Sequence, residues 1–109
     1  MLGSFFRRDK RVRVRIMLVG DEVAKIDVKQ RELGVQTRAE VIRRALEKLY
    51  DDVCHDRLID RTLLPVGEAV PLEFEASNKT LDALDELAKR LVAWSRTEVV
   101  RIAINNFCC

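Results

Sequence analysis

Three arginines occupy alternate positions near the start of the chain, Arg11, Arg13 and Arg15, with Val12 and Val14 between them. Alternate residues of a β-strand point to the same side, so a strand over this segment would present all three guanidinium groups on one face. An arginine can donate two hydrogen bonds to O6 and N7 of guanine, which discriminates against other bases by about 1–3 kcal/mol. Three arginines at alternate positions therefore favour a ligand-binding surface over a strand face that is merely solvated.

A second group of cations precedes this segment and is suited to phosphates. Arg7, Arg8 and Lys10 are opposed only by Asp9, and such a cluster attracts the backbone of a nucleic acid. The net charge is only +2, but residues 1–53 hold 13 Lys and Arg against 9 Asp and Glu, whereas residues 54–109 hold 7 against 9. The alternative is that this basic tail is only solvated.

The remaining reactive side chains do not suggest catalysis or a cofactor. His55 stands next to Cys54, and Cys108 and Cys109 are adjacent, without the spacing of a zinc site or a disulfide framework. The sequence contains no recognisable nucleophile–base pair or phosphate-binding loop. We therefore expect no enzyme, no metal and no cofactor. No apolar run approaches the ~18 residues that span a bilayer, so we expect a cytoplasmic protein without a membrane partner.

The chain contains an internal repeat at an offset of 58 residues. Residues 37–46 (TRAEVIRRAL) align with residues 95–104 (SRTEVVRIAI), with five of the ten positions identical and three more conservative. The same offset carries upstream without a gap, where Asp27 falls on Asp85 and the apolar residues keep their spacing. A repeat of this kind indicates one structural unit present twice.

Each repeat begins with a segment that predicts a half-buried strand. In the first repeat, residues 11–17 follow a period of two, with arginine alternating with an apolar side chain up to Ile16 and Met17 at the next outward position. One face of such a strand is buried and the other is exposed. The residues expected to face the core are Val12, Val14, Ile16, Val70, Leu72 and Phe74.

Two helices are predicted to follow each strand. Gly20 breaks the first strand pattern, and Asp21 is a candidate N-cap for the helix that follows. Gly34 can end that helix in the left-handed conformation. In the second repeat the corresponding helix is expected to begin at about Thr80, and the apolar residues of all four helices recur at helical spacing.

The second helix of each repeat is predicted to open with a capping box, at residues 37–40 (TRAE) and 95–98 (SRTE). The turns before these helices differ, because residues 92–94 (VAW) replace residues 34–36 (GVQ). Without glycine, the second turn is expected to adopt another geometry or to extend the preceding helix. Trp94 is expected to pack within this turn.

A single strand–helix–helix unit of about 40 residues cannot bury its strand or complete a core. We therefore expect the two units to pair, with antiparallel strands forming one ribbon above four helices in one compact domain. The predicted organisation is a basic tail at 1–10, a first unit at 11–50, a connector at 51–68 and a second unit at 69–109.

Three segments resemble the consensus of the ribbon–helix–helix (Arc/MetJ-type) family: residues 37–46, 84–90 (LDELAKR) and 95–103. The resemblance covers about residues 11–50 and 69–107. It implies two ribbon–helix–helix units forming an intramolecular pseudo-dimer, mainly α with one two-stranded antiparallel ribbon. It also implies that this ribbon lies in the major groove of double-stranded DNA, which is ~12 Å wide.

The resemblance assigns base reading to the outward side chains of both strands, and phosphate anchoring to the N-termini of the second helices. The predicted base-reading residues are Arg11, Arg13, Arg15, Met17, Glu73 and Glu75. With the basic tail included, the predicted phosphate-binding residues are Arg7, Arg8, Lys10, Thr37, Arg38, Ser95 and Arg96. Plain helix capping by Thr37 and Ser95 is compatible with that role.

The second strand departs from the family pattern. Its outward positions are Ala69, Pro71, Glu73 and Glu75. In an antiparallel ribbon the glutamates would lie near Arg13 and Arg15. Either one strand reads DNA while the other orients it, which gives a target without two-fold symmetry, or the glutamates neutralise the arginines and leave a protein-interaction or structural module.

The resemblance implies a transcriptional repressor or regulator. The alternatives within DNA binding are an accessory protein of a plasmid-transfer relaxosome and a viral regulator, and the sequence does not choose between an operator and an origin of transfer. Two chains pairing like strands would place arginines opposite arginines, which is unfavourable. We therefore expect a monomeric pseudo-dimer, with further assembly on DNA left open.

Overall fold

The computed structural model describes residues 11–63 and 68–108, and within them the chain is mainly helical, with a two-stranded antiparallel sheet and four helices. The elements are β1 (Arg11–Val19), α1 (Gly20–Leu33), α2 (Arg38–Cys54), β2 (Ala69–Ser77), α3 (Asn78–Leu91) and α4 (Arg96–Phe107). The order strand, helix, helix thus occurs twice. The predicted phosphate-binding residues Arg7, Arg8 and Lys10 lie outside the described residues.

β1 and β2 pair in antiparallel fashion, with Arg11 opposite Ser77 and Val19 opposite Ala69. We call this two-stranded sheet the ribbon. Side chains on one face of the ribbon are buried in alternation with exposed side chains on the other. Val14, Ile16, Leu72 and Phe74 are buried, which confirms their predicted orientation.

Two residues expected in the core lie at its edge instead. Val12 is 39% exposed and Val70 is only partly buried. Both stand near the start of their strands, and because the strands are antiparallel they lie at opposite ends of the ribbon, each opposite a buried partner, Ala76 and Leu18 respectively. The buried face continues further at the other end of each strand, to Leu18 and Ala76.

The four helices pack beneath the buried face of the ribbon, and α2 and α4 make the most extensive helix–helix contact. Every element contributes to one hydrophobic core. Its members are Val14, Ile16, Leu18, Ile26, Val41, Ile42, Ala45, Leu46, Leu49, Leu72, Phe74, Ala76, Leu84, Leu87, Leu91, Val99, Val100, Ile102, Ala103 and Ile104. No helix in the described part of the chain is long and apolar enough to cross a membrane.

The first helix starts directly after the strand, without a loop. α1 begins at Gly20 with Val19 as its N-cap residue, so the prediction of Asp21 as N-cap is wrong. The carboxylate of Glu22 accepts a hydrogen bond from the Val19 backbone N–H at 2.9 Å. A capping box has two hydrogen bonds, one accepted by the N-cap side chain and one accepted by the side chain three residues later. Val19 has no side-chain acceptor, so only the second bond can form here.

The corresponding helix of the second repeat also starts directly after its strand. α3 begins at Asn78, two residues before the predicted start at Thr80. Ser77 is the N-cap, and its hydroxyl accepts a hydrogen bond from the Thr80 N–H at 3.2 Å. This bond satisfies one of the amides that a helix start leaves without an intrahelical partner.

The second helix of each repeat begins where the capping spacing predicts. Thr37 Oγ1 accepts from the Glu40 N–H at 3.2 Å, and Ser95 Oγ accepts from the Glu98 N–H at the same distance. The glutamates do not complete the predicted capping boxes, because Glu40 binds Arg43 and Arg44 and Glu98 accepts from the Trp94 N–H. α2 then continues to Cys54, four residues beyond the predicted boundary of the first unit.

Both turns between the helices of a repeat have the same backbone geometry, contrary to the prediction that the second would differ. Gly34 ends α1 with φ 69°, and Val92 ends α3 with φ 54°. Val35 N–H donates to Gln30 O and Ala93 N–H to Ala88 O, which is the long bond of a Schellman motif in each case. A β-branched residue therefore holds a left-handed conformation that favours glycine.

Replacing Val92 with glycine is expected to raise the free energy of unfolding by about 0.5–1 kcal/mol. A left-handed conformation costs a residue with a Cβ about 1–2 kcal/mol, and glycine removes this cost. Part of the gain in stability is lost again, because glycine raises the conformational entropy of the unfolded chain. Little packing is lost because Val92 is 81% exposed. Urea unfolding followed by circular dichroism measures the change.

The matched control is Gly34→Val in the first turn. A Cβ at Gly34 would meet no described atom within 4 Å, so the cost is conformational alone. We expect a loss of about 1–2 kcal/mol. A Val92→Gly protein less stable than the unmodified one would refute strain at Val92.

Trp94 lies on the surface with 94% of its area exposed, so the prediction that it packs in the turn is wrong. The exposure of Trp94 is explained by its place in the repeat. Trp94 aligns with Gln36, which is also exposed, whereas Val35 and Ala93 pack against the core one residue earlier. The Trp94 backbone N–H donates to Glu98 Oε1 at 2.6 Å, so the turn is closed without the indole ring.

Candidate nucleic-acid interface

The face of the ribbon opposite the core is a continuous exposed surface. Its exposed positions are Arg11, Arg13, Arg15 and Met17 on β1 and Ala69, Pro71, Glu73 and Glu75 on β2. The structure therefore brings all six predicted base-reading residues to one face of one two-stranded sheet. Burial of Val14, Ile16, Leu72 and Phe74 on the other face is what fixes this orientation, because successive side chains of a strand alternate.

Side chains of opposite charge face each other across the two strands. Arg13 lies opposite Glu75 and Arg15 opposite Glu73 in the register, which confirms that the glutamates lie near these arginines. The Arg13 guanidinium also forms a diagonal ion pair with Glu73, with Nη1 and Oε1 3.4 Å apart. The two side chains are 67% and 46% exposed, so the pair is worth no more than about 1 kcal/mol and can open when a ligand binds.

Two of the predicted phosphate-binding residues, Arg38 and Arg96, stand at the N-termini of α2 and α4. The local structure around them is the same. Arg38 binds Asp27 through Nε and Nη2 at 2.8 and 3.1 Å. Arg96 binds Asp85 in the same way, at 3.0 and 3.1 Å. Each bidentate pair joins the first residue of the second helix to the helix before it and leaves the guanidinium partly neutralised.

Sequence reasoning missed Asp27 and Asp85 as partners of these arginines. The signal was present, because both acids occupy the same place in the repeat although neither belongs to the apolar pattern. A polar residue retained at matching positions on an exposed helix face indicates a side-chain contact that both units need. The separation of 11 residues from acid to arginine is the same in each unit.

The two aspartate–arginine pairs predict a pH dependence of stability. Hydrogen bonding from Arg38 lowers the pKa of Asp27 below its usual value, and hydrogen bonding from Arg96 does the same to the pKa of Asp85. A lowered folded-state pKa gives stability that is present above the unfolded pKa of about 3.9 and is lost as pH falls through the folded value. We therefore expect the double variant Asp27→Asn/Asp85→Asn to be less stable than the unmodified protein at pH 6, with the difference disappearing in stronger acid.

Urea midpoints at a series of pH values measure this effect. Asp82→Asn is the control, because Asp82 is exposed on α3 and takes part in no ion pair among the described residues. A difference between the double variant and the unmodified protein that stays constant from neutral to acidic pH would contradict the assignment to these two carboxylates.

A buried polar network joins α1 to α4. Glu22 is 2% exposed, and its two carboxylate oxygens accept from Arg101 Nε at 3.0 and 2.9 Å. Asn105 Nδ2 donates to the same carboxylate at 2.8 Å, and Lys25 Nζ donates to Asn105 Oδ1 at 2.8 Å. This network closes the contact between the first helix of one repeat and the second helix of the other.

At the corresponding position between α2 and α3, a groove of about 1260 Å³ takes the place of this network. The repeat places Thr80, Arg43 and Glu47 where the closed contact has Glu22, Arg101 and Asn105, and all three line the groove. The lining contains six acidic and three basic side chains. Its negative balance repels phosphates, so the ribbon face is the better candidate for a nucleic acid.

The ribbon face offers hydrogen bonding and charge to a ligand. The guanidinium groups donate, the carboxylates accept, and the helix N-termini present backbone N–H groups that favour anions. No known protein family, curated protein or solved structure matches this chain.

Proposed function

We propose that this protein binds double-stranded DNA by laying the ribbon in the major groove, as two ribbon–helix–helix units paired within one chain, and that it regulates transcription by occupying a DNA site. The observation that carries the proposal is the exposed row of Arg11, Arg13 and Arg15 along one strand of a two-stranded ribbon. A ribbon of two strands is narrow enough for the major groove, and arginine is the side chain best suited to guanine there.

Pairing of the two units within one chain is supported by the register, in which β1 pairs with β2. The repeated Asp27–Arg38 and Asp85–Arg96 contacts support a common structure for the units. If the pairing is complete within one chain, light scattering at low concentration gives a mass near 12.6 kDa. An obligate dimer would contradict it.

The target of this ribbon is a DNA site without two-fold symmetry. A ribbon built from two identical strands presents the same residues to both halves of a site, whereas here one strand offers arginines and the other offers proline and glutamates. Glutamate can accept a hydrogen bond from cytosine N4. Selection of bound sequences from a random pool would give a non-palindromic consensus, and a palindromic one would contradict the asymmetric reading.

Fluorescence anisotropy with labelled duplex DNA tests the binding itself. Contacts to phosphates release counterions, so affinity should fall steeply between about 50 and about 200 mM salt. Absence of binding at the lower salt concentration, or binding that is insensitive to salt, would refute the proposal.

The Arg13–Glu73 ion pair favours a second candidate, a protein-interaction module whose ribbon no longer reads DNA. Glu73→Gln separates the two candidates, because the amide no longer repels phosphates and releases Arg13. A DNA-binding ribbon gains affinity for mixed-sequence duplex several-fold from this change. A module whose arginines are neutralised by the glutamates shows no measurable binding in the unmodified protein, whatever the variant does.

A further inference from the structure

The exposed face of the ribbon is divided along its length into a polar end and an apolar end. At the polar end Arg13 lies opposite Glu75 and Arg15 opposite Glu73. At the other end Met17 lies opposite Pro71, and Val19 lies opposite Ala69. Met17 is 41% exposed, and its neighbour Pro71 across the ribbon is exposed as well.

The two ends suit different chemical groups on a base pair. Arginine and glutamate side chains exchange hydrogen bonds with base edges, whereas valine, alanine and proline side chains have no hydrogen-bonding group and methionine offers only a weak acceptor. The apolar group that unmodified DNA presents in the major groove is the C5-methyl of thymine. A methionine side chain is long, flexible and polarisable, so it can cover such a methyl group without strict geometry.

We propose that Met17, supported by Pro71 across the ribbon, binds the methyl group of a thymine, so that the recognised site carries thymine beneath the apolar end and G·C pairs beneath the polar end. This inference rests on the proposed DNA binding and adds a residue that determines specificity. The target site then differs in base composition from one end of the ribbon to the other. This difference is separate from the asymmetry between the two strands.

Replacement of thymine by deoxyuridine tests the inference, because it removes the methyl group and leaves every hydrogen-bonding group in place. The probe is the duplex selected from a random pool, with each thymine replaced in turn. We expect one or two positions at which the unmodified protein loses about fourfold in affinity per methyl group removed. A selected duplex whose thymines can all be replaced without loss of affinity overturns the inference.

The variant Met17→Ala identifies the side chain responsible. The ratio of affinities for thymine and deoxyuridine at the sensitive position should fall towards one in this variant, whatever happens to the overall affinity. Val28→Ala is the matched control, because Val28 on α1 is 46% exposed and lies away from the ribbon. It should keep the fourfold ratio.

The outcomes separate the inference from the proposal beneath it. A protein that binds duplex DNA in a salt-dependent manner but keeps the full ratio in Met17→Ala refutes the role of Met17 and leaves DNA binding intact. A protein that binds no duplex at low salt refutes both.

Discussion

Replacement of Arg101 by alanine is expected to lower the free energy of unfolding by about 3 kcal/mol, because it leaves the buried Glu22 carboxylate without its cation. The side chains of Arg101 and Glu22 are only 13% and 3% exposed, so the carboxylate is poorly solvated once its cation is lost. Urea unfolding measures the change. Glu22→Gln introduced into the Arg101→Ala protein should recover part of the loss, since a neutral amide needs no counter-charge and still accepts from the Val19 N–H.

The repeat supplies a matched control for this prediction. Arg43 occupies the same place in the first unit, but its ion pairs with Glu40 and Glu47 are at the surface, with the Arg43 side chain 51% exposed. Arg43→Ala is therefore expected to cost less than about 1 kcal/mol. Equal losses for the two variants would contradict the claim that the α1–α4 network holds the two units together more strongly than surface ion pairs do.

Arg15→Ala is expected to weaken binding to the selected duplex by about ten- to a hundredfold, the cost of one bidentate arginine–guanine contact of about 1–3 kcal/mol. Arg15 lies at the centre of β1 and, among the described residues, takes part in no ion pair, whereas Arg13 is engaged by Glu73. The preference for one base pair at the contacted position should also be relaxed. Anisotropy titrations with single-base variants of the duplex measure both effects.

Arg90→Ala controls for the loss of one positive charge. Arg90 lies on α3 and is paired with Glu86 at 2.9 Å, away from the ribbon. Its removal should change the affinity little and leave base preference unaltered. If Arg15→Ala and Arg90→Ala weaken binding equally and for all sequences alike, the arginines of the ribbon act only as general charge, and base reading by β1 is refuted.

Local patterns in the sequence were sufficient to predict the two strands, the four helices and the exposed face of the ribbon. Alternation between arginine and apolar side chains places Arg11, Arg13 and Arg15 outside because the strand has only two faces and one of them is buried. The start of the second helices at Thr37 and Ser95 was also predictable, because a capping hydroxyl acts on an amide three residues away. These features depend on residues that are close together in the chain.

Features that depend on contacts between distant segments were decided only by the tertiary structure. The N-cap prediction at Asp21 failed because α1 follows β1 without a loop, and Glu22, which accepts from the Val19 N–H, is held in place by Arg101, 79 residues further along the chain. Val92 takes the left-handed turn of Gly34 because the packing of the two helices fixes the path between them, and the strain in one residue is smaller than the loss of that packing.

The asymmetry of the protein arises partly from local sequence and partly from tertiary structure. The sequence alone determines that one strand carries arginines and the other proline and glutamates, since the repeat fixes which positions correspond. Only the folded chain shows that Arg13 is paired with Glu73, and that a polar network joins α1 to α4 whereas a groove lies at the corresponding place beside α2 and α3. The physical reason is that alternation and capping act between neighbours in the chain, whereas register and helix packing depend on where the whole core places each element.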